Sequence, residues 1–578
     1  MTTVPFPVFA PTVDAFYQAG DADYTAAFTR GFAVSQRLYG TPGKTYVVNG
    51  VVLNGQQFDG RGCVVQDAVG APYAFKLTGW QPMLRDIQFQ AQGNVDKVTT
   101  NAGGFAAGAT SINVASSTGF ALRQMLLVQG NTNNWFTTQV TGVSGSTITL
   151  GSATPEVGSS GLTVVASAGL INLDDSEHAR IEDILFVNTG VGITLTSTAT
   201  ENAHAKLSDL QFDAVRWCAI AKYGNAHDVT IDNFEAFCGV TDTFNYTGAG
   251  VAGSFNAVYF NDLIRDLVVT VNGVNQVYGV NWTFTSDYLI TFLAGSYPAN
   301  GAPVVLRHYH DSVRGFVEDQ RGSTVSGGNQ YSALRILKAF IGVELQGVTL
   351  SEFTDTVIDT VALIGVLMSN CGIDLNFVQL SVTWCRTCIA AYNCGNVQIN
   401  GLVSDQIPAG YYNPFLPVTG PEISGDALST LAIDLDAWWS AAYTVSNQPG
   451  VRLYGGKKTN FGSATALAAA ANVYLGPMGQ TNIGFPADIA DVDGYAVLFY
   501  GAVNAAPGAG QTVTLSLIRN AQGAPTTLAS IVITGAASYG GYVAFTPTAF
   551  AAGDQLHVQA VYSAGAASST PRGFFVRR

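Results

Sequence analysis

Ile181-Glu182-Asp183-Ile184-Leu185-Phe186 returns as Leu207-Ser208-Asp209-Leu210-Gln211-Phe212 and again as Ile231-Asp232-Asn233-Phe234-Glu235-Ala236. An earlier copy stands at Leu84-Arg85-Asp86-Ile87-Gln88-Phe89. The shared pattern is apolar, variable, Asp or Asn, apolar, variable, apolar. A plain strand alternates with period two; here the alternation slips by one residue at the Asp or Asn. Those residues tolerate left-handed backbone and bond their own main chain, so the slip marks a bend between two strands. The last three copies start 26 and 24 residues apart. Such a step describes one coil of a parallel β-helix, a solenoid that buries its interior only by stacking. Leu350-Ser351-Glu352-Phe353 and Ile399-Asn400-Gly401-Leu402 continue the series, with weaker coils expected near Val325 and Leu375.

Two gaps break the period. From 84 to 181, one coil accounts for about 25 residues, and the remainder is the Gly/Ser/Thr-rich stretch 97–168. From 231 to 325 a similar excess falls on 246–312, with alternating strands around an Asn272-Gly273 hairpin turn. Each excess reads as a small β-domain hung from a turn of the solenoid. Before the first coil, Asp23 is placed to cap a short helix with Tyr24, Phe28 and Phe32 on one face. Such a helix covers the open lower end of the stack. The expected fold is all-β: a right-handed parallel β-helix with two inserted small β-domains and a C-terminal, jelly-roll-like β-sandwich. Its divisions are a cap at 1–45, first coils at 46–96, an insert at 97–168, β-helix at 169–245, a second insert at 246–312 and β-helix at 313–410. A Pro-rich linker or crossover at 411–454 and the sandwich at 455–578 complete it.

Composition agrees with this class. The 578 residues are only 11% charged, rich in glycine (64) and 47% hydrophobic, with a formal charge of -14. Few Lys, Glu and Arg leave little material for surface helices, and an acidic balance argues against a nucleic-acid partner. No apolar run reaches a membrane span, and the start MTTVPFPVFAPT lacks the features of a secretory signal. Seven cysteines, an odd number, mostly in apolar runs, read as buried free thiols of a chain made in a reducing cytoplasm. Cys385-x-x-Cys388 has no second pair to complete a zinc site. No cofactor is expected, and His308-x-His310 beside Asp311 is at best a weak metal candidate.

The opening Ala19-Gly20-Asp21-Ala22-Asp23-Tyr24-Thr25-Ala26-Ala27-Phe28, followed by Pro42-Gly43-Lys44-Thr45-Tyr46, is similar to the "GD…DDTAAI…PAGTY" opening of bacteriophage tailspikes with a pectate-lyase-like β-helix. The stretch from Leu267 through Asn272-Gly273 and Trp282-Thr-Phe284 to Arg307 looks like a domain shared among podovirus tail fibres. The resemblance implies a homotrimer on the virion tail that recognises, and usually degrades, a bacterial surface polysaccharide: capsule, exopolysaccharide or O-antigen. It also implies another tail protein for attachment, because the β-helix opening starts within the first 20 residues.

Glycosidic cleavage needs two carboxylates on one exposed surface, and stacking coils about 4.8 Å apart supplies that arrangement. The register turns Glu182 and Asp232 outward before the bend and Glu235 outward after it, while Asp213 follows the inward Phe212. These four are the catalytic candidates. Arg180 and Lys206 share an outward column, and Arg216, Trp217 and the more distant Trp384 complete a set suited to binding sugars. Asp86, Asp183 and Asp209 are expected to stabilise the bends. Asp174-Asp175-Ser176-Glu177-His178 and Glu318-Asp319 with Arg321 are alternative acidic loops; Tyr392, Tyr411 and Tyr412 are further aromatics. Hydrolysis by paired carboxylates is the first reading. The alternatives are a lyase using Lys206, Tyr223 or a His as base, and a non-enzymatic receptor-binding fibre.

Overall fold

Residues 11–131, 135–196, 202–256, 267–285, 289–309, 313–321, 327–372, 374–406, 423–426, 428–438, 451–454 and much of 457–577 are described by the computed structural model. Contacts divide the chain into two units, 1–389 with 406–419, and 390–405 with 420–578.

The first unit is a parallel β-helix. Strands Arg180–Val187, Lys206–Asp213 and Thr230–Phe237 pair in parallel, with Ile181 beside Leu207 and Leu207 beside Ile231. Met83–Gln90 stacks below, Leu84 beside Ile181. Asn329–Leu337, Ser351–Asp359 and Leu375–Cys385 stack above. At the bend, Asp86, Asp183, Asp209 and Asn233 all hold left-handed backbone, with φ between 51° and 55°. Inside, Phe89, Phe186, Phe212 and Phe234 form one aromatic column; Phe186 and Phe212 stack 4.2 Å apart with ring planes 3° from parallel.

Two coils differ from the expected register. The coil sought near Val325 is centred on Tyr331, which pairs with Ile231; residues 322–326 lie outside the described residues. Its bend is Ala333, with φ 52°, so the Asp/Asn marker is missing. The next coil starts its pattern at Phe353, beside Tyr331, three residues beyond Leu350. Leu350 is itself a left-handed corner residue, half exposed, and only mimics the apolar first position.

A second parallel sheet closes the back: Phe75–Trp80, Ile171–Glu177, Val191–Thr196, Cys218–Tyr223, Arg314–Asp319, Ile341–Gln346 and Ile364–Ser369. Four consecutive members, from Val191–Thr196 to Ile341–Gln346, are buried at every position. The first inserted module covers them. Its strands, between Lys97 and Ser167, form an antiparallel six-stranded sheet with its own core. Met125, Leu127, Trp135 and Val165 of that module pack on Val191, Trp217, Ala221 and Val317. Polar ties reinforce the contact: Thr137 donates to Glu344 Oε1 at 2.8 Å, and Arg314 reaches both Glu344 and the Trp135 carbonyl. The second module, within Thr241–Tyr309, carries a hairpin at Asn272-Gly273, with φ 51° and 77°, and a core around Trp282 and Leu306.

At the lower end, helix Thr25–Phe32 starts where Asp23 Oδ1 accepts the Thr25 N–H at 2.7 Å. Phe28 is fully buried and meets Phe58 and Phe75 edge-on, at 4.9 and 5.5 Å. The helix therefore seals the first coils. All seven cysteines are free and buried. Among the described residues no helix is long and apolar enough to cross a membrane.

In the second unit the passage expected as a linker at 411–454 carries parallel rungs instead. Val397 pairs with Leu431, and Leu431 with Val451. Leu431 and Ile433, both fully buried, point inward on these rungs, and the proline-rich residues 407–422 lie outside the described residues. From Lys457 onward, antiparallel strands form one nine-stranded sheet sharing a core of Leu475, Phe499, Leu515, Ile531, Val558 and Phe575.

An ion pair lies inside the β-helix. Lys222 donates to Glu318 Oε1 at 2.5 Å, with both side chains fully buried. Tyr331, stacked between Phe316 and Phe353, donates to Glu318 Oε2 at 3.0 Å, and Asn329 donates to Oε1 at 3.1 Å. Burial pushes the Lys222 ammonium below its ordinary range, and Glu318 opposes that shift. Removing one partner strands the other, at a cost of about 3–5 kcal/mol, whereas a matched apolar pair is close to neutral. Glu318→Gln is expected to destabilise the chain strongly, and Lys222→Met/Glu318→Leu to remain destabilising by about 1–3 kcal/mol because Tyr331 and Asn329 lose their acceptor, as measured by urea unfolding.

Asp96 roots the first module. Its Oδ1 is out of contact with solvent although the residue as a whole retains some exposure. A Cβ on Gly190 would fall 1.5 Å from its Oδ2, so only glycine fits there. Burial raises the Asp96 carboxyl from 3.8 to about 6, against opposing hydrogen bonds from Ser167 and Val191. Between those two values the folded chain keeps a proton that the unfolded chain has lost, so stability falls as pH rises through that window. Asp96→Asn is expected to raise unfolding stability at pH 7, by at most about 3 kcal/mol, with the gain disappearing below pH ~4. Melts across that range check it.

Candidate functional site

The outward positions of the first sheet line up by register. One residue before the bend, the column reads Asp59, Arg85, Glu182, Ser208, Asp232, Ser332. Two residues earlier it reads Arg180, Lys206, Thr230, Gln330, Glu352. After the bend Leu185, Gln211, Glu235 and Arg335 are neighbours in turn. Glu182, Ser208 and Asp232 therefore sit on consecutive rungs of one face.

The lower part of this face is an open groove of about 660 Å³. Glu182, Ser208 and Lys206 form its upper wall, the bend residues Asp86, Asp183 and Asp209 one side, and Tyr39, Asp59, Arg61 and Arg85 its floor. Arg85 donates to Asp59 Oδ2 at 2.5 Å, and that bond holds its guanidinium above the ordinary range, with Glu182 adding to the effect. Arg61 lies 3.6 Å above the Tyr39 ring, a cation–π contact that fixes both. Higher on the face, Ser332 donates to Asp232 Oδ1 at 2.7 Å. Asn233 donates to Asp209 Oδ1 at 2.7 Å, so adjacent bends also bond to each other.

Of the candidates drawn from sequence, Glu182 and Lys206 line the groove, and Arg180 is exposed beside Lys206. Asp232 follows on the rung above Ser208, and Glu235 is exposed just past its bend. Asp213 is exposed but stands at the far end of its strand, between Val187 and Phe237. Trp217 is a correction: it is 6% exposed and packs on Trp135 at 5.9 Å under the first module. After Asp213 the chain turns at Ala214, φ 61°, which delivers Arg216 and Trp217 to the covered second sheet. Trp384 is a half-buried corner residue with φ 53° on the Leu375–Cys385 rung, four rungs above Lys206. Tyr223, considered as a base, is 2% exposed, and burial carries its phenol well above the ordinary range.

The alternative acidic loops are strands. Glu318 is the interior ion-pair partner, and Asp319 holds Arg321 at 2.7 Å. Asp174 takes Lys76 at 2.6 Å, with Arg123 of the first module 3.8 Å away. His310, Asp311, Tyr411 and Tyr412 lie outside the described residues. No cluster of three or more His, Cys, Asp or Glu suited to a metal occurs among the described residues. Sequence reasoning overlooked Tyr39, Asp59 and Arg61 as groove residues. Arg85 was legible, because it occupies the same slot as Glu182.

The bends support the groove, so their chemistry is testable. Left-handed backbone costs a side chain without local bonding about 1–2 kcal/mol. Ala333→Asn is expected to stabilise the chain by about 1 kcal/mol, and Asp209→Val to destabilise it by a similar amount, in denaturant titrations.

No protein-family model and no curated protein matches the sequence. Several solved structures match the chain at low identity and low TM-score. One is a tailspike of Acinetobacter baumannii bacteriophage AP22 in complex with capsular saccharide: 9% identity, 98% of this chain and 96% of that one, TM-score 0.25. Another is a full-length tailspike from an Escherichia coli O157:H7 bacteriophage: 8% identity, 96% and 69% covered, TM-score 0.35. A third is a periplasmic alginate epimerase mutant: 9% identity, 72% and 71% covered, TM-score 0.30.

Proposed function

We propose that this chain is a tailspike depolymerase that binds a bacterial surface polysaccharide along the Glu182–Ser208–Asp232 face and cleaves it by glycosidic hydrolysis. The observation that carries the reading is the alignment of Glu182 and Asp232 on one open face, with the small Ser208 between them. Two rung spacings separate their backbones by about 9–10 Å. A separation of that order lies at the upper end of the range of about 6.5–9.5 Å that leaves room for a water. That spacing favours inversion: one carboxylic acid protonates the leaving oxygen, and the other carboxylate activates water on the opposite side of the sugar. Ser332 orients Asp232; Arg180 and Lys206, in the neighbouring column, donate to sugar hydroxyls.

The opening motif supports placing this activity on a phage tail, in a homotrimer. Elimination is disfavoured by the burial of Tyr223, which removes one of its candidate bases from the exposed face.

Purified host capsule or O-antigen incubated with the protein is expected to shorten, and the first product released to carry the inverted anomeric configuration by proton NMR. Glu182→Gln and Asp232→Asn are each expected to lower turnover by about 10²–10⁴-fold while leaving polysaccharide binding intact. Binding and turnover falling together point to adhesion alone. An unsaturated, ultraviolet-absorbing product points to a lyase.

A further inference from the structure

Beside the groove, at the corner between the two sheets, aromatic rings stack from rung to rung. Trp80 meets His178 edge-on at 4.4 Å, His178 stacks on His204 at 4.8 Å with planes 16° apart, and His227 follows at 6.2 Å. The rings come from successive coils. Gln81, His178, His204 and Asp228 hold the same left-handed corner, with φ from 51° to 57°. Gln81, Asp228 and, higher up, Leu350 show that turning this corner does not require imidazole. Trp80 is 57% exposed, more than any other aromatic hydrocarbon or indole side chain among the described residues. The outermost ring is thus held in place by its neighbour yet left uncovered.

We propose that the Trp80–His178–His204 strip is a stacking platform for sugar rings of the same polysaccharide, extending the binding face beyond the groove. This rests on reading the groove as a polysaccharide site. The exposed indole of Trp80, edge-on to His178, takes the apolar C–H face of a hexose, while the edges of the stacked His178 and His204 rings and neighbouring polar groups meet its hydroxyls. The neighbours are at hand. Arg180 and Lys206 each follow a ladder histidine by two residues on exposed strand positions. Asp228 fixes the upper end: its Oδ2 lies 2.9 Å from His227 Nδ1 and 3.9 Å from His204 Nδ1. The rungs repeat every ~4.8 Å, so a polymer lying along the helix axis meets one ring per coil. The platform orients and retains the chain and takes no part in bond cleavage.

The test uses the full chain on an immobilised array of purified bacterial capsular and O-antigen polysaccharides. On the glycan bound by the unaltered protein, Trp80→Ala is expected to bind about tenfold more weakly. His178→Ala, which removes the prop under Trp80, should bind a few-fold more weakly. Trp80→Phe, which keeps a ring, should stay close to the unaltered protein. Melting curves that superimpose show that folding is not the cause. Undiminished binding by Trp80→Ala overturns the platform and leaves the groove reading standing, as does an equal loss in Trp80→Phe. No binding by the unaltered protein to any glycan overturns the groove reading and the platform with it.

Discussion

Each coil of this protein must turn sharply without leaving backbone groups unpaired, and the stacking hydrogen bonds between coils meet that demand. They fix the register rung by rung, so residues tens of positions apart become vertical neighbours. Everything else follows from this constraint. The inward phenylalanines stack because their strands pair in register. The outward carboxylates align for the same reason. Most of these bends carry Asp or Asn because left-handed backbone is needed at fixed corners of each coil.

That constraint also governs how the two faces differ. The second sheet's middle rungs are buried on both sides under the first module, and their outward residues have become an internal interface. Arg314, Glu344 and Thr137 are polar groups satisfied inside that interface. The first sheet keeps its outward columns open, with charged residues of both signs at Arg85, Glu182 and Lys206. The open charged face is therefore the one the module leaves uncovered, and none of the module's described residues lines the groove.

The solenoid was legible wherever an Asp or Asn marker stood with apolar residues in the slots around it. Asp183, Asp209 and Asn233 announce their coils, and the order of Glu182, Ser208 and Asp232 on one face could be read directly. Ala333 turns the same corner with no marker, so the coil at Tyr331 was misplaced; the coil at Phe353 does bend at an Asp, Asp355, but a buried Thr356 takes the apolar position after it, and the pattern was read three residues early. The groove was half legible. Glu182 and Lys206 follow from periodicity, but Tyr39, Asp59 and Arg61 come from the irregular first coils, where no repeat had yet been established. Trp217 shows a different limit. Local alternation says which residues leave the column, but not which of them a module folded from 97–167 will cover.

The seal at the bottom has a consequence for how such a chain can change length. Phe28 closes only the lowest coils, through Phe58 and Phe75, and makes no demand on the number of rungs above. Duplicating or deleting one complete winding in the middle leaves that plug and the neighbouring registers as they were, whereas a gain or loss of a few residues shifts every outward column against the next. Change along this architecture proceeds in whole steps, and the outward columns can lengthen without redesign of the plug beneath them.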